Sequence, residues 1–296
     1  MSFRFLGLLI TALLGLLSCA PNSIEPRLPK TAERPSAGIL FGETVSMRDN
    51  DAAKSVVLVS LTDRKHLPLT FCTGSLIGRN TVLTAAHCFD PTVVKDVENF
   101  DIVFFAKEYK PFDGGDVRHG LLRAVHPKYN TMTTPGATHA YDHDVAVLLF
   151  EGQAPQGARI ATLAKDPAID YGTRKVVVYG YGRSVDYTGV KDEDRWVGMG
   201  ILHRGLMTVD GDYASHEDQY YSSGPGQART CQGDSGGPAF VQQDGRFVQV
   251  GVNSSSLGPI LPNQIQSCGG SSLSTKVTDV ASWIMTQQMK LNRQIK

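Results

Sequence analysis

The chain has 296 residues, 41% of them hydrophobic and 30 of them glycine, and is long enough to bury a substantial core. Its 29 basic and 29 acidic residues cancel, and no block of like charge is long enough to serve a nucleic-acid partner. No internal repeat or metal-ligand cluster stands out, and the cysteines lack C-x-x-C spacing, so neither a metal nor a nucleic acid is expected.

At the N-terminus, Arg4 precedes an apolar run at 5–17 that is short for a permanent membrane span and suited to a secretory signal. Leu16-Leu-Ser-Cys19 follows and resembles the lipobox of bacterial lipoproteins, in which the signal is cut before the cysteine and that cysteine is acylated. Residues 1–18 are therefore expected to be a signal peptide, and Cys19 the lipid-bearing residue that holds the chain at a membrane; ordinary signal cleavage nearby is the alternative. Pro21, rather than an aspartate, follows shortly after, which favours an outer over an inner membrane. Prolines 21, 26, 29 and 35 among Ser, Lys, Glu and Arg make 19–38 an extended tether, leaving 39–296 as the folded part.

From residue 39 onward, Val, Ile and Phe runs alternate with Gly, Pro, Asn and Asp clusters, which argues for an all-β fold of one or two barrels. Strands are expected at 55–61, 70–77, 101–105, 145–150, 174–179 and 247–252. A further short strand, Thr81-Val-Leu-Thr-Ala-Ala, leads into His87 beside Cys88. The other histidines, at 66, 119, 126, 139, 143, 203 and 216, are expected mostly on surfaces and loops, without chemistry.

Next in the chain, Tyr141-Asp-His-Asp-Val-Ala-Val-Leu-Leu-Phe150 offers two carboxylates. Asp144 is favoured over Asp142 because it directly precedes an apolar strand that can bury and orient it; His143 reads as a loop residue. In Thr230-Cys-Gln-Gly-Asp-Ser-Gly-Gly-Pro238, glycines 233, 236 and 237 flank Ser235 and suit a tight turn that aims the amides of Gly233 and Ser235 at one point. A serine hydroxyl is a poor nucleophile unless an imidazole takes its proton, so Ser235 and His87 gain meaning together. The segment 277–291 changes to helical spacing at Val277, Val280 and Ile284, with Trp283 and Met285 beside them, and is expected to pack on the second barrel.

Thr84-Ala-Ala-His-Cys88, Asp144-Val-Ala-Val, Gly180-Tyr-Gly182, Gly233-Asp-Ser-Gly-Gly-Pro238 and a terminal Trp283-Ile284, in that order, resemble the trypsin and chymotrypsin family of serine peptidases. The resemblance runs from Ile39 to the C-terminus and implies two six-stranded antiparallel barrels, a C-terminal helix and a cleft between the barrels. It implies a serine endopeptidase acting on polypeptides, as a monomer and without a cofactor. In that scheme Ser235 is nucleophile, His87 general base, Asp144 its orienter, and Gly233 and Ser235 the oxyanion donors. Setting Cys19 aside, four cysteines remain, which suits an oxidising compartment; they allow three pairings, of which the family implies Cys72 with Cys88 and Cys231 with Cys268.

The same resemblance makes Ile39 a candidate new N-terminus whose amino group pairs with Asp234 after cleavage, so that 19–38 doubles as a propeptide. Gly38 rather than Arg or Lys precedes Ile39, which speaks against a trypsin-like activator, and cleavage there would release the domain from its lipid. Arg229 stands where the floor of the primary pocket is expected, with Ser256 and Ser272 near its walls. That excludes a preference for Arg or Lys and leaves two readings: a pocket for Asp or Glu, or an arginine turned inward and a pocket for a small or apolar side chain. Ser254-Ser-Ser256 resembles the segment that pairs with an extended substrate; 256–268 reads as an inserted loop at the pocket rim, and the charged 186–196 as a plain solvated loop in preference to a second insertion. A non-catalytic surface adhesin on the same fold and an esterase are the competing functions.

Overall fold

The computed structural model describes residues 39–45, 51–106, 115–132, 140–166, 175–186, 197–213, 218–222, 228–259 and 267–294. The expected signal peptide, Cys19 and the tether lie outside them, as do 187–196 and 260–266 of the two expected loops. Among the described residues no helix is long and apolar enough to cross a membrane.

After a two-residue strand β1 (Glu43–Thr44) come β2 (Val56–Thr62), β3 (Pro68–Leu76), β4 (Thr81–Thr84), β5 (Asn99–Phe104) and β6 (Asp116–Val125). A small hairpin, β7 (Asn130–Met132) with β8 (Ala140–Asp142), precedes β9 (Ala146–Phe150). The order β2-β3-β4-β9-β6-β5 closes a six-stranded antiparallel barrel. Strand β2 is apolar without alternation because both its faces are covered. Val57, Val59 and Leu61 point into the barrel core with Phe100, Ile102, Leu148 and Phe150. Val56 and Leu58 join Phe71, Tyr179, Tyr181 and Phe240 in a second cluster that ties this barrel to the next.

The second barrel is built from β10 (Thr162–Leu163), β11 (Lys175–Gly180), β12 (His203–Asp212), β13 (Gln219–Ser222), β14 (Pro238–Gln243), β15 (Arg246–Ser256) and β16 (Ser272–Lys276). The order β12-β11-β14-β15-β16-β13 closes because β13 pairs back to β12; β1 extends the edge at β12, and β10 lies parallel to β15. Val176, Val178, Met207, Val209, Val241 and Val250 fill its core together with the fully buried Ile39. Two closed barrels remove the unpaired edges that an open sheet of this size would present.

The terminal helix α1 (Val277–Gln294) buries Val277, Val280, Ala281, Ile284 and Leu291. Contrary to expectation, most of the apolar surface it meets belongs to the first barrel: Ile77, Leu83, Val145, Val147 and Leu149, with Val252 of the second. The reason lies in β9, every residue of which is buried, so its outward Val147 and Leu149 need a cover. Gln288 fixes the placement through its Nε2, which donates to the Ile77 carbonyl and to Thr81 Oγ1. Met285 is exposed rather than part of the buried face.

Disulfides join Cys72 to Cys88 across 16 positions and Cys231 to Cys268 across 37. The first ties β3 to the turn that carries His87. Replacing Cys72 and Cys88 together by alanine should lower unfolding free energy by about 3 kcal/mol, the loop-closure value for a ring of this size, as read from urea denaturation of parent and variant.

Candidate active site

The buried strand β4 ends in Ala85 and Ala86, and these small residues let the chain turn tightly into a single 3-10 turn at His87–Phe89. Asp144 lies one turn before β9, fully buried. Its Oδ1 accepts the His87 backbone N–H at 2.9 Å, and its Oδ2 faces His87 Nδ1 at 2.7 Å and accepts the Ser254 hydroxyl at 2.6 Å. A buried carboxylate is costly unless its oxygens are satisfied, and three donors do that here. Because an ionised carboxylate only accepts, Nδ1 carries the ring proton and Nε2 keeps its lone pair. Asp142 instead ends β8, opposite Asn130.

Around this pair, Tyr141 stacks on the His87 ring with centroids 4.8 Å apart and planes 15° from parallel. Burial raises the Tyr141 phenol above its ordinary range, with the charges of Asp144 and Asp90 adding to the effect, so it stays neutral. His143 occupies the turn with φ of 49°, its amide donating to Asp218 Oδ2 at 2.7 Å while its ring stacks on His126. Neither Ser254 nor Tyr141 was assigned to the imidazole from sequence. Ser254 was noted only as part of a substrate-pairing segment, and a hydroxyl 110 positions from its carboxylate gives no local signal.

Ser235 sits in a turn closed by the Asp234 amide donating to the Cys231 carbonyl and the Gly237 amide donating to that of Asp234. Gly236 adopts φ of 82°, and a Cβ there would run into Thr84 Oγ1 and the Thr73 carbonyl, so no other residue fits. Thr73, on β3 of the opposite barrel, clamps the turn: its amide donates to the Ser235 carbonyl at 2.8 Å and its hydroxyl to the Gly233 carbonyl at 2.7 Å. Among the described residues, the amides of Gly233 and Ser235 donate no internal hydrogen bond, and neither does the Ser235 hydroxyl. Ser235 and His87 line one cleft of about 180 Å³ with Tyr141, Thr230, Gln232 and Ser254.

Asp234 is also fully buried. Its Oδ1 accepts the Gly182 amide and its Oδ2 the Cys231 amide, both at 2.8 Å. Gly182 has no side chain because a Cβ there would stand 2.6 Å from the Asp234 carboxyl carbon. Burial pushes the Asp234 carboxyl up to about 7, partly opposed by those two amides. Ile39 carries a peptide bond to Gly38 in this chain, with φ of 53° and its side chain in the second-barrel core. The expected Ile39–Asp234 ion pair is therefore not formed in the uncleaved chain, whose Ile39 has no free amino group.

Arg229, expected at the pocket floor, is not among the residues that line the cleft with Ser235. It lies beside Leu40 in an isolated bridge, and its Nη1 donates to the Gly270 carbonyl at 2.9 Å. Ser272 Oγ accepts the Thr230 amide, so it braces the cleft wall from behind. Ser256 does line the cleft, its hydroxyl donating to the Ser267 carbonyl at 3.2 Å, and Cys231 and Cys268 line it as well.

The family model for Trypsin matches residues 45–284. Trypsin zeta of Drosophila erecta is 29% identical over 199 residues, covering 63% of this chain and 66% of that protein. Chymotrypsin-like elastase family member 1 of Canis lupus familiaris is 28% identical over 209 residues, covering 63% and 71%. Serine proteinase stubble of Drosophila melanogaster is 25% identical over 228 residues, which are 72% of this chain and 27% of that longer protein. With two closed barrels, a His–Asp pair and a glycine-framed serine already in place, the chain belongs to the trypsin family of serine-type endopeptidases.

Two buried groups give the fold an opposed pH dependence. Asp234 holds its proton more tightly folded, at about 7, than at its ordinary 3.8, so its stabilising contribution is full at low pH and is lost as pH rises towards 7. His126, depressed by burial and by His143 to about 4 from 6.5, contributes increasingly over the same window. From pH 4 to 7, Asp234→Asn should therefore shift the slope of the urea midpoint against pH upward relative to the parent, and His126→Gln should shift it downward.

Proposed function

We propose that this chain hydrolyses peptide bonds through Ser235, His87 and Asp144. The observation that carries the reading is the Asp144 carboxylate holding His87 Nδ1 at 2.7 Å on the same cleft as Ser235. His87 Nε2 takes the Ser235 proton as its oxygen attacks the scissile carbonyl, and the charge that develops there meets the undonated amides of Gly233 and Ser235. The protonated imidazole then gives its proton to the leaving amine, and water releases the acyl group by the same steps in reverse. Ser254 acts through Asp144, holding the carboxylate in the plane where it orients the ring.

For the primary pocket, the hydrogen bond from Arg229 to the Gly270 carbonyl supports the inward-turned arginine, so the residue before the scissile bond is small or apolar. Ser256 and Thr230 supply the polar part of that wall. The amides holding Asp234 support a precursor state: cleavage before Ile39 would free an ammonium that offsets a carboxylate now without a charged partner among the described residues. The four disulfide-bonded cysteines leave Cys19 as the fifth, which supports an exported chain anchored there by lipid.

Ser235→Ala should abolish covalent labelling by a serine-directed phosphonate with an unchanged circular dichroism spectrum, and Asp144→Asn should lower kcat by about four orders of magnitude. Labelling that survives Ser235→Ala rejects the assignment. A peptide-library profile of the processed enzyme should show cleavage after small or apolar residues; preference for Asp or Glu would return Arg229 to the pocket, and preference for Lys or Arg would exclude both readings.

A further inference from the structure

On the outside of the first barrel, three residues far apart in sequence converge. Asp101 and His119 are direct cross-strand neighbours on β5 and β6. His66 arrives from the turn between β2 and β3. Its φ is 59°, and the turn is fixed by Asp63, whose Oδ1 accepts the amides of Lys65 and Leu67 and whose carbonyl accepts that of His66. Both imidazoles direct Nδ1 at the same atom, Asp101 Oδ1: His119 at 2.8 Å and His66 at 3.7 Å. The rings lie edge to face with centroids 5.4 Å apart, and one ligand atom from each of the three residues falls within 4.8 Å of the others.

We propose that His66, Asp101 and His119 bind a transition-metal ion of the Zn²⁺ class. Zinc takes imidazole nitrogen at about 2.0–2.1 Å and carboxylate oxygen at about 2.0–2.2 Å, which in tetrahedral geometry sets neighbouring ligand atoms about 3.3 Å apart. The two observed N···O distances bracket that spacing, so small rotations of the histidines admit the ion. Those rotations are open to them because both side chains are largely in solvent, while Asp101 is held at 7% side-chain exposure. Among the described residues Asp101 has no Lys or Arg partner, and Arg64 of the neighbouring turn pairs with Glu98. A buried carboxylate facing two imidazoles is a place for a cation that replaces their Nδ1 protons. Two nitrogens to one oxygen select zinc or its neighbours over Ca²⁺ and Mg²⁺, which require oxygen-rich shells. The exposed side remains open for water as a fourth ligand. Bound metal would staple the β2–β3 turn to β5 and β6, and none of the three residues lines the cleft of Ser235.

The test is calorimetric titration of chelator-treated full-length protein with Zn²⁺ alone at neutral pH, beside thermal denaturation with and without the ion. We expect one ion per chain at this site and a rise in Tm. His66→Gln and His119→Gln, both at exposed positions, should each weaken that binding at least about tenfold and abolish the Tm rise, and the double variant should lose one ion per chain. His126→Gln should leave the titration unchanged. A double variant that binds as many ions as tightly as the parent overturns the proposal, and so does a parent that binds none at millimolar Zn²⁺, or Ca²⁺ displacing the ion at comparable concentration.

Discussion

The arrangement depends first on one buried charge. Asp144 has no solvent exposure, and its carboxylate can stay in that position only because three donors reach it. Two come from His87, which belongs to the first barrel, and the third from Ser254 on a strand of the second. The carboxylate therefore does more than face an imidazole: it is one of several hydrogen-bonded links between the two barrels, beside those of Thr73 and that of Gln219 to the Tyr141 carbonyl. Removing one of these donors would leave a buried carboxylate oxygen without compensation.

Thr73 performs a similar service for the serine. Its amide and hydroxyl cross from the first barrel to the carbonyls of Ser235 and Gly233, and its hydroxyl also accepts the Tyr181 amide. The carbonyls of the turn are thereby engaged, while among the described residues the amides of Gly233 and Ser235 have no acceptor. Asp234 stabilises the turn from beneath through the amides of Gly182 and Cys231, and its raised proton affinity reflects its burial. One short loop is thus held by hydrogen bonds from Gly182, 52 positions away, and from Thr73, 160 positions away.

Much of this was legible in the chain itself. Strands at 55–61, 145–150 and 247–252 are legible because valine, leucine, isoleucine and phenylalanine dominate them, and 70–77 because Phe71, Leu76 and Ile77 frame small residues. Those that escaped were of other kinds: β6 alternates apolar residues with Arg118, His119 and Arg123 over a solvent-facing barrel wall, β12 carries Gly205, Asp210 and Gly211, and β16 is Ser-Leu-Ser-Thr-Lys. Their hydrophobic content is too low for periodicity to mark them, and they become strands because neighbours on both sides offer hydrogen bonds. The helix was visible by its spacing, but its docking surface was not, since that depended on which outer faces of β9 needed cover.

Local composition, then, determined that the protein is all-β, that His87 ends a buried strand, that Asp144 precedes another, and that Ser235 lies in a turn only glycines can make. Each of those rests on residues within a few positions of one another. What tertiary structure decided were the meetings across long intervals: Ser254 with Asp144, Thr73 with the serine turn, Arg229 with the Gly270 carbonyl rather than the cleft, and His66 with Asp101 and His119. Such encounters are set by strand register and barrel closure, and a linear pattern carries no record of which residues two strands will bring side by side.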